Sequence, residues 1–215
     1  MGSDVVFANA QIIMRSQERL LTKKRIRAMA TAPDRAGVLT ILAECGYDVT
    51  AANDDDLVAA ERAQTLRTFC ELCADPAVTA NVQAWANLTE ANATATFTQM
   101  AATTPKIKNR TIRDYFTTLV DLINVRNAAK GSHVFFPGGQ LTADALKIDP
   151  ATLTQQLVTL ANTDRDNIFQ PNPLFWWYCQ KQQELVAVSL ILLSKRFHYD
   201  AAFLRANLRG LYEQF

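Results

Sequence analysis

Apolar residues recur at helical spacing along nearly the whole chain. Ala59, Ala63, Leu66, Cys70 and Cys73, for example, follow one another at steps of four, three, four and three, which places them on one face of a helix. The seven prolines fall between such segments and interrupt none of them, as expected near helix ends. The pattern predicts helices at residues 4–19, 22–31, 34–45, 55–74, 77–102, 111–130, 140–147, 150–161, 173–197 and 200–213.

Strand signals are almost absent from the sequence. His133 to Phe136 is the one candidate strand, and the turn Pro137-Gly138-Gly139 closes it. Seven Gly and seven Pro in 215 residues leave little turn material for an all-β protein. The sequence therefore predicts an all-α fold. We expect a single all-helical domain over residues 1–215, or two helical sub-units of about 1–104 and 105–215.

The predicted helix 173–197 contains the longest apolar run. Residues 185–193 read LVAVSLILL and are apolar on every side except at Ser189. Nine residues are too few to cross a bilayer, which needs about 20. The run therefore predicts a helix in the core, and the polar residues 180–184 before it predict a solvated first half. The side chains expected to be buried are Leu185, Val188, Leu190, Ile191 and Leu192.

The net charge and the cysteine content limit the classes of function that the sequence allows. Lys and Arg total 22 and Asp and Glu total 21, so the formal net charge of +1 lacks the basic excess of a strong nucleic-acid binder. The four cysteines are scattered and do not form the spacing of a disulfide framework, and no signal-peptide pattern opens the chain. These features favour a reducing cytoplasm.

No residue pattern indicates catalysis. Cys70 and Cys73 form a C-x-x-C late in a predicted helix, on its apolar stripe, which predicts unpaired, metal-free side chains and not a redox pair or a zinc site. His198 stands fourteen residues from Glu184, too far along one helix to share a hydrogen bond. The sequence contains no P-loop, Rossmann, G-x-S-x-G or H-E-x-x-H motif. We expect no catalytic residue, no metal and no cofactor.

A basic cluster and three similar stretches leave alternatives open. The cluster of Arg15, Arg19, Lys23, Lys24, Arg25 and Arg27 suits lipid head groups, an acidic partner or a solvated helix pair. The stretches around Asn9, Asn87 and Asn124 each place an Asn within an apolar helix face, where it should be hydrogen-bonded. They indicate either an internal repeat of helical units or coincidence in a chain rich in Ala and Asn.

Five segments, in order, carry a family resemblance. They are Phe7-Ala8-Asn9-Ala10 with Arg19-Leu20-Leu21-Thr22, Leu39 through Tyr47, Asp121-Leu122-Ile123-Asn124-Val125, Pro137-Gly138-Gly139-Gln140-Leu141, and the helix from Glu184 to Lys195. Over about two thirds of the chain they resemble the V/A-type ATPase subunit that is called C in bacteria and archaea and d in eukaryotes. Members of that family open with an aromatic-x-Asn-Ala helix and an "rLLt" turn, and end with an "E-x-x-n-i…K" helix.

The chain also departs from the family pattern. Trp85-Ala86-Asn87-Leu88 stands where the family has a "D-x-x-N-l-k" helix, without the acid and the lysine. Val186-Ala187 replaces the usual Arg-Asn after the glutamate, so the polar contacts of that pair are not expected here. The chain is shorter than the family members. The resemblance therefore implies a funnel-like bundle of pseudo-repeated helical units in which one unit is reduced or missing.

The resemblance implies a mechanical role. It predicts a non-catalytic subunit on the cytoplasmic face of the cell membrane that links the central rotor stalk to the ion-translocating ring, with H⁺ or Na⁺ as the transported ion. Its partners would be the stalk subunits and the ring, with no nucleic acid, and attachment to the membrane would run through the ring. The residues expected to contact partners are Arg19, Lys23, Lys24, Arg25, Arg27, Gln180, Gln183 and Glu184.

Two other classes remain open on the sequence. One is a helical adaptor or regulatory scaffold unrelated to rotary ATPases, and the other is a helical enzyme or ligand carrier with its site in the core. Co-purification with ring and stalk subunits would distinguish the first from the coupling subunit. An apolar cavity with convergent polar groups would favour the second.

Overall fold

The computed structural model describes residues 3–17, 20–142 and 148–208. All regular structure within these ranges is helical, which confirms the predicted all-α fold. The helices are α1 (Ser3–Gln17), α2 (Lys23–Thr31), α3 (Arg35–Glu44), α4 (Asp54–Leu72), α5 (Pro76–Ala86), α6 (Ala93–Thr103) with a 3₁₀ turn (Thr104–Lys106), α7 (Arg110–Ala129), α8 (Pro150–Asn162), α9 (Asn172–Phe197) and α10 (Ala201–Leu208).

Side-chain caps fix the first turns of five of these helices. Asp34 accepts a hydrogen bond from the backbone N–H of Gly37 at 2.8 Å, as its place before an apolar segment predicts. Thr22, Asp75, Asn109 and Asp149 cap α2, α5, α7 and α8 in the same way. These five helices, α2, α3, α5, α7 and α8, therefore begin directly after a short polar residue.

The predicted helix 77–102 is wrong, because the chain turns between α5 and α6. The side chain of Asn92 accepts from the backbone N–H of Thr89 at 2.7 Å and donates to the backbone oxygen of Asn87 at 2.9 Å. Asn side chains compete in this way with the helical hydrogen-bond ladder. The polar run after Ala86 consequently ends α5.

Two further predictions of local structure fail around residues 133–147. Residues 133–136 form no strand, because the backbone of Phe136 pairs with the side chain of Asn124. Residues 140–142 are not helical, because the backbone N–H groups of Gln140 and Leu141 donate to Asp121. The remainder of the predicted helix, 143–147, lies outside the described residues.

The buried face of α4 also differs from the predicted one. Ala59 and Ala63 are exposed, and Leu66, Cys70 and Cys73 are only half-buried. The buried side chains are instead those of Leu57, Val58, Thr65 and Phe69. Burying Leu, Val and Phe removes more apolar area from water than burying Ala, so the larger side chains determine which face turns inward.

The chain forms two compact units, each made of two separate segments. The first unit comprises Met1–Ile13 and Thr68–Trp177, and the second comprises Met14–Arg67 and Tyr178–Phe215. This division differs from the expected sub-units of about 1–104 and 105–215, because the chain after Trp177 packs with residues 14–67. The boundaries between the units fall within α1, α4 and α9.

The core of the second unit forms around the middle of α9. Leu185, Val188, Ile191 and Leu192 are fully buried, as predicted, and Leu190 is half-buried against the same cluster. They pack with Ile26 and Met29 of α2, Val38 and Leu42 of α3, and Leu204 and Leu208 of α10. The predicted solvated first half of α9 is wrong: Lys181 and Glu184 are 3% and 1% exposed, because they pair with each other.

The core of the first unit is rich in aromatic rings. Phe97 of α6 stacks on Phe136 with their ring centroids 4.3 Å apart, and Phe175 of α9 meets Tyr115 and Phe116 of α7 edge to face. Helices α7 and α8 pack together, as do α5 and α6. This packing holds α7, the helix that carries the buried Asp121 and Asn124.

Candidate functional site

A buried carboxylate lies at the centre of the polar contacts in the second unit. Glu184 of α9 accepts hydrogen bonds from the backbone N–H of Leu21 and from the hydroxyl of Tyr47. Lys181 Nζ, one helical turn earlier, lies 2.7 Å from Glu184 Oε1. Because Glu184 is only 1% exposed, these three donors replace the water that a carboxylate would otherwise bind.

Lys181 completes this cluster from the same helix. Its Nζ atom also lies 3.2 Å from Glu61 Oε1 of α4 and 3.3 Å from the Tyr47 hydroxyl, above the Tyr47 ring. Burial acts to lower the pKa of Lys181, but the charges and hydrogen bonds of Glu184 and Glu61 outweigh burial and raise that pKa overall. We call Leu21, Tyr47, Glu61, Lys181 and Glu184 the Glu184 cluster.

The Glu184 cluster joins four separate segments of the second unit. Leu21 lies in the turn before α2, Tyr47 follows α3, Glu61 is on α4, and Lys181 and Glu184 are on α9. Every charged group in it has an opposite charge within 3.2 Å. Such a cluster is suited to holding segments in register and does not present a reactive group.

The first unit contains a comparable contact. Asp121 of α7 accepts from the backbone N–H groups of Gln140 and Leu141 at 3.1 and 3.0 Å. Asn124, one turn later, accepts from Phe136 N at 2.8 Å and donates to Phe136 O at 2.9 Å. A Cβ atom at Gly139 would overlap the Asp121 carboxylate, so a larger residue there would displace that side chain from its contacts.

The two units share one local device. In each unit a helix carboxylate accepts from the backbone N–H of a leucine that is followed by a threonine, in Leu21-Thr22 and in Leu141-Thr142. The carboxylates are Glu184 and Asp121. Asn124 has no counterpart on α9, where the residue three positions after Glu184 is the fully buried Ala187.

The basic cluster predicted to contact partners lies mainly on α2. Lys23, Lys24 and Arg27 are exposed, while Arg25 is half-buried and forms an ion pair with Glu44 at 2.6 Å. Arg19 lies outside the described residues. Lys195 of α9 donates to the backbone oxygen of Ala30 at 2.9 Å, near the end of α2. Helix α2 is therefore held by its buried face and exposes three cations.

The α9 residues that were predicted to contact partners differ in their exposure to solvent. Gln180 and Gln183 are half-buried, and Glu184 is inside the protein. The prediction of Glu184 as an exposed partner contact is wrong, because its carboxylate is fully used by internal donors. The sequence alone did not identify Lys181 as the partner of Glu184, although it lies three residues earlier on the same helix, a spacing at which two side chains can meet.

The asparagines of the three similar stretches are not all buried, in contrast to the prediction. Of the three similar stretches, only Asn124 is buried, and Asn9 and Asn87 are exposed. The buried Asn of α5 is Asn81, which donates to Ala77 O and accepts from Thr104 Oγ1.

Cys70 and Cys73 are not joined by a disulfide, and burial raises the pKa of both thiols, which disfavours the reactive thiolate.

Nothing in the described ranges indicates a metal site or a membrane span. No group of three or more His, Cys, Asp or Glu side chains among the described residues is placed to hold a metal ion. None of the described helices combines the length and apolar character required to cross a bilayer. Comparison of the chain with protein-family models and with curated proteins finds no match.

Proposed function

We propose that this chain is a non-catalytic coupling subunit of a rotary V/A-type ATPase, placed between the central rotor stalk and the membrane ring. In this role the chain transmits torque and hydrolyses nothing itself. ATP hydrolysis and ion translocation belong to other subunits, and the chain is peripheral to the membrane on its cytoplasmic face. The proposal rests on the family resemblance together with the contacts that the resembling segments make.

The observation that carries the proposal is that these segments contact one another in pairs. Glu184 of the last segment bonds Leu21 of the first and Tyr47 of the second, across 163 and 137 residues of sequence. Asp121 of the third segment bonds Leu141 of the fourth. Five chance matches would have no reason to meet through buried hydrogen bonds. Segments that define one fold would meet in this way, because buried polar pairs must be satisfied within it.

The shared device of the two units supports the repeated architecture that the resemblance implies. A carboxylate that holds a Leu-Thr turn in each unit is the kind of contact that duplicated helical units retain. The two units would then be two of the family's three, with the third reduced. The exposed Asn87 and the missing acid around it support a reduction in the middle of the chain.

The exposed cations of α2 provide a candidate contact for the stalk or ring. Lys23, Lys24 and Arg27 are exposed on a helix whose opposite face, Ile26 and Met29, is fixed in the core. A rigid helix with external charge suits a torque-bearing contact, because little ordering is required on binding. A stable contact of this kind buries about 1,200–2,000 Å² in total, and a handful of residues dominate its energy.

Affinity capture from the native membrane tests the proposal. The chain is tagged at its natural expression level, the membrane is solubilised in mild detergent, and the bound proteins are identified by mass spectrometry. We expect the stalk and ring subunits of a V/A-type ATPase to co-purify in amounts comparable with the chain. A second capture through a tagged stalk subunit should recover the chain in return.

One outcome of the reciprocal capture would contradict the proposal. An ATPase that purifies intact and active through its stalk, with this chain absent, contradicts the coupling role. The helical adaptor would then take its place, and the proteins recovered with the tagged chain would identify its partners. A tagged soluble protein of similar size, treated identically, accounts for background binding.

A further inference from the structure

A groove in the first unit is separate from the Glu184 cluster and from α2. It has a volume of about 630 Å³ and lies between the start of α5, the loop from Lys106 to Asn109, and the loop before α9 that contains Phe169. Its floor is apolar, with Phe7, Ala77 and Ala80 among its lining residues. Pockets that hold ligands or anchor side chains are of this size and are lined in this way.

The charges around the groove are unbalanced. Lys106 and Lys108 both line it and are exposed, and neither makes an ion pair within the part of the chain that the structure describes. The one carboxylate of the lining, Asp75, is used to cap α5 by accepting from Ala77 N at 2.9 Å and Val78 N at 3.2 Å. Because the Asp75 carboxylate already accepts two backbone hydrogen bonds, the two lysines leave an excess of positive charge at the groove. The groove therefore favours an anionic ligand.

An exposed aromatic side chain indicates what kind of anion the groove takes. Phe169 is 59% exposed and its neighbour Ile168 is 41% exposed, beside Pro171. A small anion would leave these side chains in water, whereas a peptide segment with an apolar side chain would cover them. The side-chain oxygen of Gln170 faces Asn109, which leaves its NH₂ group available for a peptide carbonyl.

We propose that this groove binds an acidic, extended segment of a partner protein. The segment inserts one aromatic or aliphatic side chain beside Phe169 and places its carboxylates near Lys106 and Lys108. The lysines increase the encounter rate and select an acidic sequence, while the apolar anchor supplies most of the affinity. This binding activity does not depend on the chain being an ATPase subunit.

Fluorescence anisotropy with labelled synthetic peptides tests the groove. The probe is a short peptide rich in Glu with a Phe between two Leu at its centre. One control peptide carries Lys in place of every Glu, and the other carries Ser in place of Phe and Leu. We expect the acidic apolar peptide to bind the full chain at least about tenfold more tightly than either control, and to weaken as salt is added.

Variants of the chain locate the binding. Lys106→Glu with Lys108→Glu should weaken the acidic peptide at least about tenfold, and Phe169→Ser should weaken it about fivefold. Lys130→Glu, an exposed lysine at the end of α7 outside the groove, should change binding less than about twofold. Circular-dichroism melts matching the wild type confirm that each variant is folded.

Several results would overturn the proposal. They are failure of the acidic peptide to bind at any concentration, binding to the double lysine variant that equals binding to the wild type, and binding of the basic control peptide that equals that of the acidic one. A small aromatic carboxylate such as phenylacetate that competes at equal concentration would show instead a small-ligand pocket. Loss of binding in Lys130→Glu equal to that in the groove variants would place the peptide elsewhere.

Discussion

The side chain of Glu184 receives three internal donors in the second unit. It replaces hydration with contacts to Leu21, Tyr47 and Lys181, and it is nearly inaccessible. Buried ion pairs add little net stability compared with apolar packing, but removing one partner leaves the other charge uncompensated. The Glu184 cluster is therefore a place where single substitutions have large effects.

Replacing Glu184 by Ala should destabilise the protein strongly. The change leaves the Leu21 N–H and the Tyr47 hydroxyl without their acceptor, and leaves Lys181 with Glu61 alone. We expect a loss of about 3–5 kcal/mol in the free energy of unfolding, measured in denaturant melts. Gln183→Ala, next to it on the half-buried side of α9, should cost about 0.5 kcal/mol or less. Equal costs for the two variants would contradict the role of Glu184 as an internal anchor.

The raised pKa of Lys181 predicts a particular dependence of stability on pH. A group whose pKa is higher in the folded state stabilises that state fully below its unfolded pKa, which is about 10.4 for lysine. The contribution is lost as pH rises through the folded pKa. The difference in unfolding free energy between wild type and Lys181→Met should thus be constant from about pH 7 to 10 and shrink above.

A lowered pKa of Lys181 would give a different dependence of stability on pH. If burial dominated, the pKa would be lowered, the unfolded state would bind the lysine proton more tightly, and the stability of the wild type relative to Lys181→Met would rise with pH up to about pH 10. That result would contradict the pairing of Lys181 with both Glu184 and Glu61. Lys130→Met, at an exposed lysine, controls for general alkaline destabilisation.

At the scale of the elements, α9 has a fully buried side and an exposed side. Ile191 is fully buried, whereas Leu193 is 41% exposed two residues later. Ile191→Ala should cost roughly 2–5 kcal/mol of unfolding free energy in denaturant melts, because it leaves a cavity in the core. Leu193→Ala should cost about 1 kcal/mol or less. A similar small cost at both positions would mean that the apolar run is an interface and not core.

Some elements could be predicted from sequence because their signals are local. The apolar run of α9 identifies a core helix, and Asp34 before an apolar segment identifies a helix start, without reference to the rest of the chain. The break between α5 and α6 is hard to predict because residues 87–92 contain no Pro or Gly to mark a helix end. It depends on one Asn side chain bonding a particular backbone group, which periodicity does not record.

The candidate site was less predictable, because its contacts join distant parts of the sequence. Nothing near Glu184 indicates that its partners are Leu21 and Tyr47, and a run of polar residues such as 180–184 ordinarily faces solvent. The resemblance identified Tyr47 and Glu184 separately but not the contact between them. Pairing between residues 137 positions apart requires the fold to be known first.

At the scale of the whole molecule, the same contacts determine which segments form a unit. The second unit joins residues 14–67 to residues 178–215, and Glu184 and Lys195 reach back to Leu21 and Ala30. Each unit thus depends on chain segments that are far apart in sequence. If this is the architecture of a coupling subunit, its external charges and not its buried ones should control assembly.

Reversing the exposed charges of α2 should weaken assembly without unfolding the protein. Lys23 and Lys24 lie in the first turn of α2, where Glu is favoured by the helix dipole by about 0.3–1 kcal/mol each. The variant Lys23→Glu, Lys24→Glu and Arg27→Glu should consequently melt like the wild type by circular dichroism. It should bind purified stalk subunits from the same cell more weakly, most clearly at low salt, since exposed charges are screened beyond about 8–10 Å at cellular ionic strength.

Binding that does not change would limit the role of α2. If the triple variant binds the stalk as well as the wild type at low salt, these cations form a solvated face and the contact lies elsewhere. Lys130→Glu serves as the matched control, because it reverses an exposed charge outside α2. Its binding should equal that of the wild type at every salt concentration.

The coupling of hydrolysis to transport tests the central claim most directly. Membrane vesicles are prepared from cells that lack this chain, and ATP hydrolysis and ATP-driven uptake of H⁺ and of Na⁺ are measured together. We expect hydrolysis by the V/A-type ATPase to continue while ion uptake is lost, and we expect the purified wild-type chain to restore uptake when it is added. Undiminished ion uptake in vesicles without the chain would contradict the coupling role.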